Sequence, residues 1–334
     1  MSYLSFGYTK TNATYIQMYD QGAWQEGRLT HDDQITLPAM ATVLHYGQEA
    51  FEGLKAFRRK DGRVQIFRPY ENAKRFQRSC AYLLMPTIEV DTFVEAVYKT
   101  VAANFDHVPS YTSGGALYIR PYMIGMGETL APVPSPKYLF GVVVTPVGSL
   151  FKGNLTPVNL WVSDVDRVAP RGTGQYKIGG NYAASLYAQH QAKVKGYDDA
   201  LFLDPKTHTK IEEVGAANFF GITKDNRYVT PSSPSILKSI TNQSLRYLAK
   251  HHLNLTVCDD DILIDQLDTL NEAGACGTAA VITPIRSLAF KTHTHVFPTG
   301  NHAGEVTSKL YRLLTGIQKG DHEDPNDWTL LVTE

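Results

Sequence analysis

The stretch RGTGQYKIGGNYAASLYAQH, residues 171–190, has the most unusual pattern in this sequence. Lys177 stands between glycine turns and just before the start of an apolar helix, so its amine can project into a cleft. Chemistry alone leaves two interpretations of Lys177 open. A lysine is rarely buried unless it has a function, so an exposed position is the ordinary expectation. The residue is either a solvated loop lysine or a Schiff-base lysine made nucleophilic by desolvation.

The composition predicts a globular chain of two folding units. The chain has 334 residues, of which 43% are hydrophobic and 19% charged. That length exceeds one ordinary domain, and the mixture is far from that of disordered chains. Thirty-two basic residues against thirty-three acidic ones leave a net charge of -1, so no strong field favours nucleic acid or an anionic membrane. An anionic ligand must be bound by a few placed groups.

The cysteines and apolar runs predict a cytoplasmic protein. Cys80, Cys258 and Cys276 are odd in number and far apart, which fits neither a disulfide framework nor a metal site. The histidine pairs lack metal-binding spacing, so we expect no metal. The first residues lack the order of a secretion signal, and the apolar run 138–147 is too short to span a bilayer.

Periodicity predicts a mixed α/β organisation. Strands are indicated at residues 63–68, 116–123 and 138–147, and a helix with one apolar face at residues 70–84. In ALYIRPYM the period of two places Tyr118 and Arg120 on the same face. A segment rich in Gly, Pro and Ser then suggests a boundary. The predicted division is a small N-terminal domain at residues 1–145, a connector at 146–156 and a larger domain at 157–334.

Three further patterns each allow a structural and a functional interpretation. Glu212 and Glu213 enter a strand in which period two lets only one of them face inward. The segment from Ser239 to Ser244 begins a helix whose free N–H groups, with the Thr241 hydroxyl, could bind a phosphate or simply form a cap. The Gly277 turn is either a plain turn or a nest of amides that binds an anion.

Seven motifs, in this order and spacing, resemble the branched-chain amino acid aminotransferases, which are fold-type IV pyridoxal-phosphate enzymes. The motifs are LHYGQEAFEGLKAF (44–57), FRPYENAKRFQRS (67–79), LYIRP (117–121), YKIGGNY (176–182), EEVGAANFF (212–220), SITNQSL (239–245) and GTAAVITP (277–284). The resemblance covers nearly the whole chain. It implies a two-domain α/β fold with a cofactor cleft between the domains.

The resemblance assigns the cofactor pyridoxal 5'-phosphate and the residues that bind it. Lys177 matches the catalytic lysine that links covalently to the cofactor, Tyr182 the partner of its phenolic oxygen, and Glu213 the partner of its pyridine nitrogen. The remaining matches are Arg68, Ile240, Thr241 and Thr278 at the phosphate and Leu237 at the ring face. Many members have Pro-Gly after that leucine, where this chain has Lys238 and Ser239.

On the substrate side, the resemblance implies an aliphatic pocket with a polar edge. Tyr46, Phe51 and Gly53 match the pocket, Tyr118 and Arg120 match the pair at the distal carboxylate of glutamate, and the Thr278 and Ala279 amides match the α-carboxylate site. The implied reaction is reversible transfer of the amino group of L-leucine, L-isoleucine or L-valine to 2-oxoglutarate, which gives L-glutamate. The implied assembly is a homodimer.

Three alternatives share parts of the pattern. A D-amino acid aminotransferase or a 4-amino-4-deoxychorismate lyase would keep Lys177, Glu213 and Arg68. A non-catalytic vitamin B6 carrier would not need the substrate-side residues. Turnover of leucine without turnover of D-alanine distinguishes the branched-chain enzyme from these alternatives.

Overall fold

A computed structural model describes residues 7–148 and 155–333, which form two compact units. Besides residues 7–148, the first unit contains Tyr176–Gly179 and residues 316–333. Its elements are β1 (Thr14–Asp20), β2 (Ala23–Trp24), β3 (Arg28–Thr30), α1 (Thr42–Tyr46), β4 (Glu49–Phe51), β5 (Leu54–Arg58), β6 (Val64–Phe67), α2 (Pro69–Tyr82), α3 (Val90–Ala103), β7 (Ala116–Gly125), β8 (Tyr138–Val147) and β18 (Thr329–Val332).

One sheet of nine described strands organises the first unit. Its order is β18-β6-β5-β7-β8-β1-β2, with β3 paired to β1 and β4 to β7. All of these pairings are antiparallel. Helices α2 and α3 contribute Phe76 and Phe93 to a core that also includes Leu117, Ile119 and Phe140 from the sheet. One face of the sheet therefore packs on the helices, and strand alternation turns the other side chains to the opposite face.

Helix α2 follows the apolar spacing expected from the sequence. Ala73, Phe76 and Cys80 are buried, as the periodicity predicts. The helix begins at Pro69, whose fixed φ suits a first helical position, and Arg68 before it is left-handed with φ 51°. It ends at Tyr82, two residues before the predicted end.

A buried ion pair fixes the chain between β4 and β5. Both carboxylate oxygens of Glu52 accept from Arg75 of α2, at 2.7 and 2.8 Å, and the Gly53 N–H donates to the same carboxylate at 3.1 Å. Neither side chain of the pair is more than 7% exposed. The two residues on either side of Glu52, Phe51 and Gly53, are thereby held in place.

The second unit is built on a ring of strands. Its elements are β9 (Val158–Val162), α4 (Gly179–Val194), β10 (Asp199–Leu203), β11 (Ile211–Val214), β12 (Ala217–Thr223), β13 (Arg227–Thr230), α5 (Ile240–His252), β14 (Thr256–Asp259), β15 (Leu270–Gly277), β16 (Val281–Phe290), β17 (His293–Val296) and α6 (Glu305–Lys319). The order β11-β10-β9-β16-β15-β12 closes on itself because β11 also pairs with β12. Closure leaves these six strands without a free edge.

Two segments of the first unit lie beyond the predicted connector in sequence. Tyr176–Gly179 and residues 316–333 group with the first unit, although the sequence indicated no return of the chain after residue 156. Strand β18 explains the second return, since it pairs with β6 at the edge of the first sheet. The predicted connector lies mainly on residues outside the described ranges, so the domain division stays a prediction.

No helix within the described ranges has the length and apolar character required to cross a membrane.

Candidate active site

Lys177 lies on a short segment that is anchored to two elements of the first unit. Its carbonyl accepts the Phe51 N–H of β4 at 3.1 Å, and its own N–H donates to Ser79 Oγ of α2 at 2.9 Å. Ile178 forms a bridge with Ala50 of the same strand. The Lys177 Nζ lies 4.7 Å from the centroid of the Phe51 ring. The amine is thus directed to the face of a buried aromatic ring rather than splayed from a surface loop.

Tyr118 and Arg120 lie together on β7, as alternation predicted. The Arg120 guanidinium donates to the Tyr118 hydroxyl at 3.0 Å. Its Cζ lies 4.6 Å from the centroid of the same Phe51 ring that Lys177 contacts, so both cations interact with one ring. Gly53 borders the group, because a Cβ there would overlap the Tyr118 hydroxyl. The structure therefore brings together five of the predicted residues.

Tyr46 lies apart from this group at the end of α1. It is 47% exposed, and its hydroxyl donates to the carbonyl oxygen of Leu130. The prediction that Tyr46 lines the aliphatic pocket therefore has no support from these contacts within one chain.

Arg68 is held against the C-terminal strand. Its N–H donates to the Trp328 carbonyl at 2.5 Å, and its guanidinium lies 5.0 Å from the Trp328 ring centroid. Burial lowers the pKa of the guanidinium, while the charges of Glu71 and Asp324 oppose that shift. A desolvated guanidinium gains strongly from a phosphate or carboxylate partner. Trp328, far away in sequence, was not predicted as part of this environment.

Glu213 is a buried carboxylate whose negative charge is compensated in the second unit. Its Oε2 lies 3.0 Å from the guanidinium of Arg167, and neither side chain is more than 7% exposed. Its Oε1 accepts from Asn218 Nδ2 at 2.9 Å and from the Leu237 N–H at 3.2 Å. A buried carboxylate is stable when a cation and hydrogen-bond donors satisfy it in this way.

The expectation that only one of the paired glutamates faces inward is wrong. Glu212 and Glu213 are each 4% exposed. A bulge in the β10–β11 pairing inserts one extra residue, so Ile211 and Val214 both reach the core and alternation is interrupted between them. The Glu212 carboxylate accepts from Ser233 Oγ at 2.5 Å, and burial raises its pKa against the effects of Ser233 and Arg167.

Helix α5 begins as predicted, with Ser239 as its cap. Ser239 Oγ accepts the Asn242 N–H at 3.2 Å, and Ile240 and Thr241 follow it in the first helical turn. Both of these residues are buried. Serine in place of the family's glycine therefore gives a well-capped helix, whose positive end suits an anion.

Asn218 connects Glu213 to the start of this helix. Besides donating to Glu213, its Nδ2 donates to the Leu237 carbonyl at 2.9 Å, and its Oδ1 accepts the Ser239 N–H at 3.2 Å. The amide thus fixes Leu237 and the helix start relative to the carboxylate. Sequence reasoning missed Asn218, although its place five residues after Glu213 on the paired strand β12 was a usable signal.

The remaining predicted residues occupy separate positions of the second unit. Thr278 and Ala279 form the turn between β15 and β16, and Tyr182 lies half-buried in the first turn of α4. Arg167 was also missed, because it lies in an irregular segment that carries no periodic pattern. Among the described residues, no group of three or more histidine, cysteine, aspartate or glutamate side chains could hold a metal ion.

Comparison with known proteins assigns the family. Residues 49–288 match the model of the amino-transferase class IV family. The branched-chain-amino-acid aminotransferase of Haemophilus influenzae is 50% identical over 98% of this chain and 97% of its own length. The Helicobacter pylori enzyme of the same name is 49% identical over 98% and 96%.

Solved structures agree with the sequence comparison. The Escherichia coli branched-chain amino acid aminotransferase superimposes with a TM-score of 0.78 at 27% identity, covering 96% of this chain and 99% of that one. The Thermobaculum terrenum enzyme in its PLP form gives 0.81 at 25% identity, covering 97% and 100%. The chain therefore belongs to the amino-transferase class IV family. Within it, the chain groups with the branched-chain amino acid aminotransferases, which confirms the family and the mixed α/β fold predicted from the sequence.

Proposed function

We infer that this chain transfers the amino group of L-leucine, L-isoleucine or L-valine to 2-oxoglutarate, with pyridoxal phosphate as cofactor. One observation carries the proposal beyond family membership: the Lys177 amine and the Arg120 guanidinium lie within 5 Å of the same Phe51 centroid. A group able to move a proton and a group able to bind a distal carboxylate are therefore close together.

The second unit has the groups that this cofactor needs. Glu213, with its charge supported by Arg167, would hold the proton on the pyridine nitrogen. The Ile240 and Thr241 N–H groups, at the positive end of α5, would bind the phosphate together with Thr278. Leu237, fixed through Asn218, would pack on the ring, and Tyr182 would donate to the phenolic oxygen. The buried and charge-compensated carboxylate is the feature that fits most specifically.

In the first unit, Lys177 would supply the amine and Arg68 a further phosphate contact. When bound, the cofactor supplies a cationic ring that accepts the electron pair released as the substrate loses its α-proton. Lys177, whose backbone is anchored at Ser79 Oγ, would remove that proton from the substrate α-carbon and return it to the C4′ carbon of the cofactor. The Phe51 ring shields one side of the amine from water.

The substrate side combines an apolar ring with a polar edge. Phe51 would contact an aliphatic side chain, and Gly53 leaves room for the Tyr118 hydroxyl beside it. Tyr118 and Arg120 would bind the distal carboxylate of glutamate, because a buried charge without a partner costs several kcal/mol. The amides of the Thr278 and Ala279 turn would receive the α-carboxylate.

We also propose that two copies of the chain associate and that the protein is cytoplasmic. Large apolar side chains of the first unit are exposed, among them Leu44 at 57%, Tyr46 at 47% and Leu130 at 53%. A second copy covering this surface would bury Tyr46 and give it a place beside a substrate. Free, buried thiols at Cys80 and Cys276 suit a reducing compartment. Sedimentation of an active monomer would contradict the dimer.

The decisive experiment follows the reaction of the purified holoenzyme with single amino acids. We expect L-leucine with 2-oxoglutarate to give equal amounts of the branched 2-oxo acid and L-glutamate, and L-leucine alone to bleach the bound cofactor. D-alanine should give neither result. Turnover of D-alanine, or lyase activity on 4-amino-4-deoxychorismate without leucine turnover, would refute the proposal. Lys177→Ala should abolish turnover, and steady-state transamination by that variant would exclude its role.

A further inference from the structure

One carboxylate lies among the cations on the face of the first sheet that carries Phe51. In β4, Ala50 belongs to the core, so Glu49 and Phe51 point to the opposite face. Arg120 of β7 is on that same face, since its neighbour Ile119 is in the core. Lys55 shares the face too, because it pairs with Tyr118 across the strands.

Glu49 is tied to the segment that carries the reactive amine. Its carboxylate accepts the N–H of Gly179, two residues after Lys177. The approach is so close that a Cβ on Gly179 would overlap Glu49 Oε1. The carboxylate of this half-buried residue is therefore held against the backbone of the segment.

The charge of Arg120 acts on Glu49. Burial raises the pKa of the Glu49 carboxyl, while the Arg120 guanidinium and the Gly179 N–H lower it. Arg120 Nε is buried and has no hydrogen-bond partner within the described residues, so the guanidinium is only partly satisfied by Tyr118. Glu49 thus supplies a nearby negative charge to a cation that lacks a full set of partners.

A pocket that takes both leucine and glutamate has an electrostatic difficulty. When an aliphatic side chain fills it, a desolvated guanidinium is left without an anion, which is costly. When glutamate fills it, the distal carboxylate supplies that anion. The pocket therefore needs a negative charge that balances Arg120 when an aliphatic side chain is bound. The distal carboxylate of glutamate must be able to replace that charge when glutamate is bound.

We propose that Glu49 is a specificity-determining residue that compensates the charge of Arg120 and thereby favours aliphatic over acidic substrates. This inference rests on the proposed function. Glu49 lowers the cost of burying Arg120 beneath an aliphatic side chain. It also repels a distal carboxylate that approaches the same guanidinium, so it weakens the binding of glutamate and 2-oxoglutarate.

Glu49→Gln tests the proposal, because glutamine keeps an oxygen that can accept the Gly179 N–H and removes only the charge. We expect KM for glutamate and 2-oxoglutarate to fall about three- to tenfold, as expected for one repulsive charge at an incompletely buried site. KM for leucine should stay equal or rise. A purely structural role would raise both values, and that result, or two unchanged values, would overturn the proposal.

Two controls keep the outcome interpretable. Glu95→Gln removes a charge from an exposed position on α3, 61% exposed and paired with Lys99, and should change neither KM. If Glu49→Gln is unstable, Glu49→Ser replaces it in a calorimetric binding experiment. The ratio of the affinity for glutarate to the affinity for 4-methylpentanoate should be higher for this variant than for the unmodified holoenzyme. An unchanged ratio of the two binding constants refutes the role of Glu49 and leaves the proposed function intact. If the unmodified enzyme does not turn over leucine, the proposed function itself is refuted.

Discussion

Replacing Arg167 with methionine should leave a buried carboxylate without its cation. Arg167 and Glu213 are 7% and 5% exposed and lie 3.0 Å apart. Breaking such a pair costs about 3–5 kcal/mol, because the remaining charge is still desolvated. Glu213 keeps the donors Asn218 and Leu237, so we expect the lower end of that range, about 3 kcal/mol.

Urea unfolding of the cofactor-free protein at neutral pH measures this loss. The double variant Arg167→Met/Glu213→Gln should recover at least about half of it, since a neutral amide needs no cation. Arg227→Met is the matched control, because it removes an exposed pair with Asp225 and should cost under about 0.5 kcal/mol. A loss below about 1 kcal/mol for Arg167→Met, or a double variant no more stable than the single one, would refute the reasoning.

Further predictions concern specificity, acid stability and thiol reactivity. Arg120→Leu should raise KM for glutamate and 2-oxoglutarate about tenfold or more, and KM for leucine less than about threefold, in steady-state kinetics. Equal increases in KM for all three substrates would contradict the role of Arg120 at the distal carboxylate. Burial disfavours ionisation of Asp204, yet hydrogen bonds from the turn that follows it lower the pKa from 3.8 to about 2. The ionised carboxylate therefore stabilises the fold above about pH 4, and this contribution is lost as pH falls through 2. Asp204→Asn should lower the free energy of unfolding by about 2 kcal/mol at neutral pH and leave it almost unchanged below pH 2. A loss that does not depend on pH in urea titrations would argue against this. Burial raises the pKa of two of the three cysteine thiols, so a thiol reagent should modify Cys258 alone in the native protein, and labelling of three sites before unfolding would oppose that expectation.

Local periodicity was enough to predict several parts of the candidate site. Alternation along β7 placed Tyr118 and Arg120 on one face, and the 3.0 Å hydrogen bond between them confirms it. The cap at Ser239 and the helix after it were also predicted correctly, because capping depends on residues only three positions apart. The family motifs then indicated which of these local patterns belong to one site.

Features that depend on irregular backbone or on distant pairing were not predictable in this way. The bulge that buries both Glu212 and Glu213 depends on how β10 and β11 pair, which period two alone does not contain. The interactions of Arg167 with Glu213 and of Glu49 with Gly179 form only in the folded chain, between residues far apart in sequence. Nothing in the local sequence distinguishes Arg167 and Glu49 from surface charges.

The strand at the end of the chain affects how the first unit can be synthesised. Buried Gln65 donates to the carbonyls of Ile317 and Gln318, 252 and 253 positions later, and β18 completes the sheet edge at β6. Translation runs from the N-terminus, so the ribosome must make residues 68–328 before that edge is covered. Until then the nascent first unit exposes an unpaired strand to other chains, while the second unit emerges almost as one block and can fold sooner. A chain segment that follows β18 directly therefore adjoins the strand that completes the first sheet last.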